Sequence, residues 1–90
     1  MELSDEMLTE ISYVQISKNR TKVMKSLEGE VKIPTQISKD SGVKNNHISR
    51  VLAELKEHEL IECINPEVRK GRLYRHTAKG EMVSANINKF

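Results

Sequence analysis

The sequence predicts a mainly α-helical fold with one small β-hairpin, an α+β domain. Three features lead to it. Residues 34–61, PTQISKDSGVKNNHISRVLAELKEHELI, hold a short helical stretch, a glycine and a longer helical stretch. Residues 60–76 hold two β-prone runs around a polar loop that contains glycine. The segments on either side carry apolar residues at helical spacing.

The first helix is expected over residues 4–14, SDEMLTEISYV. Ser4 suits the N-cap, and Asp5 and Glu6 sit where acids favour a helix N-terminus. Leu3, Met7, Ile11 and Val14 share one side, with Leu8 flanking. That stripe is long for so small a domain, so it serves the core or a dimer seam. A break near Gln15 to Ser17 separates a second helix, Lys18 to Glu28, capped by Ser17 and ended by Gly29. Ile16, Arg20, Val23, Met24 and Leu27 are expected on one face of it, and Lys18, Arg20, Lys22 and Lys25 make it basic.

Val31, Lys32 and Ile33 read as a short strand, because Pro34 pushes Ile33 away from helical dihedrals. Pro34 itself suits a first helical position, where no N–H is needed. Ile37 anchors a helix that ends near Ser41, where Gly42 supplies the left-handed stop. Val43 falls into the core. The next helix, 45–58, places Ile48, Val51, Leu52 and Leu55 on one stripe. Short helix, glycine turn and longer helix make the helix-turn-helix pattern. Strands are then expected over 60–64 and 72–76, joined by the turn Asn65-Pro66-Glu67 and the polar run to Gly71. Thr77 caps a last helix, 78–88, with Met82, Val83, Ile87 and Phe90 on its apolar face and Gly80 as a poor helix former.

Ninety residues make one domain with a modest core, 1–90, and the terminal helices 4–14 and 78–88 offer a dimer interface. One Phe, two Tyr and no Trp leave that core to Ile, Leu, Val and Met. No apolar run approaches the roughly 20 residues that cross a bilayer, and no signal peptide is visible, so a cytoplasmic protein is expected. A single cysteine, Cys63, excludes an internal disulfide and reads as a small buried hydrophobe. The net charge is +2, but it is blocked. Residues 1–16 carry four acids and no base, whereas residues 17–50 carry a net +5. Residues 54–67 carry a net −4 and residues 69–89 a net +5. Two basic blocks around an acidic one allow the fold to gather positive charge on one face.

With the apolar stripe of 45–58 buried, the opposite face at about 100° per residue is Asn46, Arg50 and Ala53, flanked by Ser49 and His47. Arg pairs bidentately with guanine and Asn with adenine in the major groove. Ala53 leaves room for close approach, and Lys44 and Asn45 at the helix start are placed for phosphates. No acid occurs from Lys44 to Ala53, and acids begin at Glu54. In helix-turn-helix proteins the front of the second helix faces the bases. Thr35 and Gln36 suit a phosphate at a helix N-terminus. Lys18, Arg20 and Lys22 are weighed evenly between backbone contacts and solvation.

The segments SKNRTKVMKSL (17–27), IPTQISKDSGVKNNHISRVLAELKEHELIE (33–62) and RKGRLYRHTAKG (69–80) resemble the winged helix-turn-helix transcriptional regulators of the MarR and ArsR superfamily, especially their small archaeal forms. The resemblance covers roughly residues 12–82. It implies the order helix, helix, short strand, helix, helix, strand, wing, strand, helix. It also implies a recognition helix, 45–58, in the major groove of double-stranded DNA. The wing, 65–72, would then lie along the backbone or in the minor groove, with Arg69, Lys70 and Arg72 at its tip. Arg75 lies further in and is expected to pair with an acid. Two positions depart from the family pattern. Glu59 stands where glycine is usual after the recognition helix, and His76 stands where an aliphatic residue is usual, as a structural histidine.

The histidines, 47, 58 and 76, lie on three different elements, and no nucleophile with a base is recognisable, so no enzyme is expected. No cofactor or metal is expected, and Cys63 has no second thiol to chelate with. The partners expected are double-stranded DNA and a second copy of the chain, with recognition helices about 34–36 Å apart on an inverted repeat. The alternative is a winged-helix module for protein–protein contact, using the acidic N-terminus and residues 54–67. Operator, effector and the sign of regulation are not legible in the residues.

Overall fold

A computed structural model describes residues 4–87, so Leu3, Asn88 and Phe90 lie outside the described residues. Its elements are α1 (Asp5–Gln15), α2 (Lys18–Ser26), α3 (Pro34–Ser41), α4 (Asn45–Glu57), β1 (Ile61–Cys63), β2 (Tyr74–His76) and α5 (Ala78–Ile87). The fold class is the expected one, five helices with a two-stranded antiparallel hairpin. In that hairpin Ile61 faces His76 and Cys63 faces Tyr74. The expected strand at 31–33 shrinks to one bridge, Lys32 to Tyr74, because Pro34 starts α3 at once.

Local signals set most boundaries. The Ser4 hydroxyl accepts from the Met7 N–H, and the Ser17 hydroxyl accepts from the Arg20 N–H. Gly42, at φ 77°, stops α3. The end of α4 is a double clasp: the Leu60 N–H donates to the Leu55 carbonyl at 3.0 Å, and the Glu59 N–H to the Lys56 carbonyl at 2.9 Å. That clasp requires a left-handed residue, and Glu59 supplies it at φ 59°. The Cβ of Glu59 makes this conformation cost about 1 kcal/mol relative to glycine. Glu59→Gly is therefore expected to raise the melting temperature by several degrees, about 4–8 °C per kcal/mol for a domain of this size. A fall in thermal denaturation would contradict it.

The core is aliphatic, as expected: Val14, Val23, Met24, Leu27, Ile37, Leu55, Leu60 and Val83 are fully buried. Ile16 is not part of it. It caps the C-terminus of α1 and is 80% exposed, because the break to α2 turns its side chain outward. Leu8 and Met82, on α1 and α5, are also about half exposed. Cys63 is only partly buried, at the edge of the core. Gly80, read from the sequence as a weakness in α5, is a packing requirement. A Cβ there would lie 1.8 Å from the carbonyl oxygen of Leu60.

One polar hub ties the helices together. Glu10 is 6% exposed, with Lys79 Nζ at 2.7 Å and His58 Nδ1 at 2.8 Å. Burial pushes its carboxyl pKa up, but Lys79 and His58 outweigh this and hold it below the ordinary 4.5. The His58 ring stacks on Tyr13 at 3.6 Å. The Arg20 guanidinium lies 3.9 Å from the same ring centre, which leaves it only the opposite face. Arg20 also donates to the Tyr13 carbonyl and to Glu54. This arginine is engaged with polar partners rather than with the apolar face of α2.

His76 is buried, and its Nε2–H donates to the Met24 carbonyl at 2.8 Å. Burial holds its pKa below the ordinary 6.5. A base with a depressed folded-state pKa contributes stability that is complete above the unfolded value and lost as pH falls. The melting temperature should therefore drop on acidification from about pH 7 to pH 5, and less so in His76→Leu. Equal slopes in the two proteins would refute the assignment. Glu10 has the same sign, its contribution being lost at pH values falling below its ordinary 4.5.

Candidate nucleic-acid interface

The buried stripe of α4 is Ile48, Val51, Leu52 and Leu55. Its burial fixes the rotation of the helix, and the outward side follows. Lys44, Asn45, Asn46, Ser49, Arg50 and Ala53 are exposed, and His47 is half-buried. Lys44 is the N-cap but makes no side-chain capping bond, so the first N–H groups of α4 remain open. Among the described residues, the side chains of Lys44, Asn45, Asn46, Ser49 and Arg50 have no hydrogen-bond or ion-pair partner. They are available for an external ligand.

The other expected site residues divide. Thr35 is exposed in the first turn of α3, whereas Gln36 donates its amide to Asp40 Oδ1 at 2.8 Å. Asp40 is in turn held by Lys32 at 2.8 Å, and that cation with the Gln36 amide lowers its carboxyl pKa. The loop from Ile64 to Leu73 is braced from within. Asn65 Oδ1 accepts from the Leu73 N–H at 2.7 Å, and Asn65 Nδ2 donates to the Gly71 carbonyl. Arg72 donates to the carbonyls of Val68 and Pro66, at 2.7 and 3.4 Å. Arg72 therefore shapes the tip, while Arg69 and Lys70 stand exposed on it without a partner among the described residues. Arg75 pairs with Glu62 at 2.9 Å across the strands, as expected.

Between α4 and the hairpin runs a cleft of about 320 Å3, lined by Pro34, Ser49, Leu52, Ala53, Lys56, Arg72 and Tyr74. Lys56 is the residue the sequence reading passed over, because it sits among acids. The signal was there in its spacing: Ser49, Ala53 and Lys56 stand at i, i+4 and i+7, one side of a helix. Of the neighbouring acids, Glu54 is turned to Arg20. No group of three His, Cys, Asp or Glu among the described residues is placed to hold a metal. No helix among them is long and apolar enough to cross a membrane.

A MarR family transcription regulator known from a crystal structure superposes on the chain with a TM-score of 0.72. This is a winged-helix fold. The sequences are 22% identical over that match, which covers 90% of this chain and 58% of that regulator. No family model matches the chain, and no curated protein matches it. In winged-helix terms, α3 and α4 form the helix-turn-helix, and residues 64–73 are the wing. The single bridge from Lys32 to Tyr74 ties the segment before α3 to β2 at the foot of the wing.

Proposed function

We propose that this winged helix is a sequence-specific regulator of transcription that binds double-stranded DNA, of the MarR/ArsR type. The observation that carries the reading is the sorting of its cations. Arg20, Arg75 and Lys79 are tied to acids, and Arg72 braces the wing. Among the described residues, Lys44, Arg50, Arg69 and Lys70, on the outward side of α4 and on the wing, are left unengaged, as are Lys56 beside the cleft and Lys18, Lys22 and Lys25 on α2. In this reading Asn46, Ser49 and Arg50 meet base edges, with His47 beside them. Thr35, Lys44, Asn45, Arg69 and Lys70 meet phosphates, Gln36 is spent on Asp40, and Arg72 holds the wing in shape. A small-molecule effector and a cofactor form no part of the proposal.

The regulator would act as a homodimer through α1 and α5, which pack on each other and leave Leu8 and Met82 uncovered. A protein-contact role for residues 54–67 is less favoured, because Glu54 and Glu62 are already paired. The test is selection of bound duplexes from random DNA, followed by a salt titration on the selected site. Log affinity should fall linearly with log salt, by about 0.9 per phosphate contacted. No enrichment, or binding indifferent to salt, would refute the proposal. A monomer in sedimentation at micromolar concentration would remove the dimer.

A further inference from the structure

Away from α4 and the wing, the turn after α2, strand β2 and helix α5 frame a recess of about 270 Å3. It is lined by Glu28, Gly29, His76, Glu81, Ser84 and Ala85. A second recess of about 190 Å3 adjoins it, sharing Gly29, His76 and Glu81 and reaching Glu30 and Arg75. The larger alone approaches the lower end of small-molecule pockets, about 300 Å3.

His76 gives the recess its chemistry. The residue is 7% exposed, and its Nε2 lies 2.8 Å from the Met24 carbonyl oxygen. A carbonyl only accepts, so Nε2 carries the hydrogen and the neutral ring presents Nδ1 as a lone-pair acceptor. Among the described residues nothing hydrogen-bonds to Nδ1. Yet no fully shielded side-chain nitrogen or oxygen among them lacks a partner. Nδ1 is therefore reached from outside, and the two recesses are the surfaces His76 lines.

The remaining walls accept as well. Glu28 Oε1 takes the Ser84 hydroxyl at 2.8 Å, which spends that donor. Glu81 stands exposed on the first turn of α5. Arg75, on the rim, is committed to Glu62. The Glu81 carboxylate repels an anion, and no three metal-ligating side chains converge here among the described residues. We infer that this recess binds a small organic cation, an amine or guanidine, whose N–H groups meet His76 Nδ1 and the carboxylate of Glu81. The inference stands apart from DNA binding, since none of these residues belongs to α4 or the wing. The depressed pKa of His76 agrees with it, because a neutral ring is the form that accepts.

The experiment is a titration of the full chain with putrescine, followed by amide and imidazole nitrogen NMR near neutral pH, against neutral butane-1,4-diol. Putrescine should give saturable shifts confined to residues 28–30, 76 and 81–85, with Nδ1 of His76 among them, and the diol none. Glu81→Gln, an exposed change that leaves the core intact, should weaken putrescine about tenfold, the loss of one charge-assisted bond. His76→Leu should weaken it too, with the melting curve of each variant checking that it is folded. Shifts scattered over all acidic surfaces, or equal affinity in wild type and Glu81→Gln, would overturn the inference. So would a response of Nδ1 to Zn2+ but not to putrescine.

Discussion

Gly80→Ala is expected to unfold the domain at temperatures where the wild type is intact. In an isolated helix the change is favourable by about 1 kcal/mol, since alanine is the better helix former. Here the sign reverses. The added Cβ would fall 1.8 Å from the Leu60 carbonyl oxygen, and the obstacle is backbone. That carbonyl cannot swing away cheaply, because it accepts the Thr77 N–H at 3.1 Å where the chain enters α5. Thr77 is itself locked, its hydroxyl donating to the Glu59 carbonyl and accepting from the Gly80 N–H. Relief requires α5 to lift off the turn between α4 and β1 at Leu60, uncovering Val83 and Ile87, which are buried. Overpacking of this kind costs about 3 kcal/mol or more, which at 4–8 °C per kcal/mol lowers the melting temperature by more than about 12 °C. Circular dichroism melting checks it. A Gly80→Ala protein as stable as wild type would mean that α5 does not sit against Leu60.

Arg50→Ala is expected to lower affinity for the selected DNA site about 5- to 150-fold, the worth of one bidentate base contact of about 1–3 kcal/mol. The prediction rests on the proposed docking of α4. Arg50 is exposed, is free of partners among the described residues, and follows Ser49 on the outward side of the helix. The loss should be uneven. It should be large on the preferred duplex and small on random DNA, so that preference relaxes at one base-pair position. Lys70→Ala should behave differently, weakening all sequences alike and reducing the salt slope by about 1. Competition binding on preferred and scrambled duplexes separates the two. An Arg50→Ala protein that loses affinity equally on both would be a backbone contact, and the base-reading role would fall to Asn46 and Ser49.

Local signals were legible in the residues, and long-range ones were not. The caps at Ser4, Ser17 and Thr77 were readable because a hydroxyl that bonds the N–H three residues on needs nothing else. The left-handed Glu59 was readable by comparison with a pattern that places glycine there. The stripe of α4 was readable because four aliphatic side chains at i, i+3, i+4 and i+7 admit one buried face. Arg20 was misplaced for the converse reason. It falls at an apolar spacing on α2, yet its partners are Tyr13 and Glu54, seven and 34 residues away. Gly80 showed only its helix propensity, because the atom that demands a glycine belongs to Leu60. Within the candidate interface, spacing revealed the outward side of α4. It could not tell Arg72, spent on wing carbonyls, from Arg69 and Lys70, which are not.

The sandwich around Tyr13 makes the molecule optically convenient. The chain has no tryptophan and two tyrosines, so its tyrosine absorption and emission come from two known places. Tyr13 lies between the imidazole of His58 and the guanidinium of Arg20, at the junction of α1, α2 and α4. Tyr74 forms part of the wall of the cleft between α4 and the wing. With Tyr13→Phe the remaining signal belongs to the cleft, and with Tyr74→Phe it belongs to the helical junction. Each half of the protein thus carries its own built-in chromophore, readable without labels.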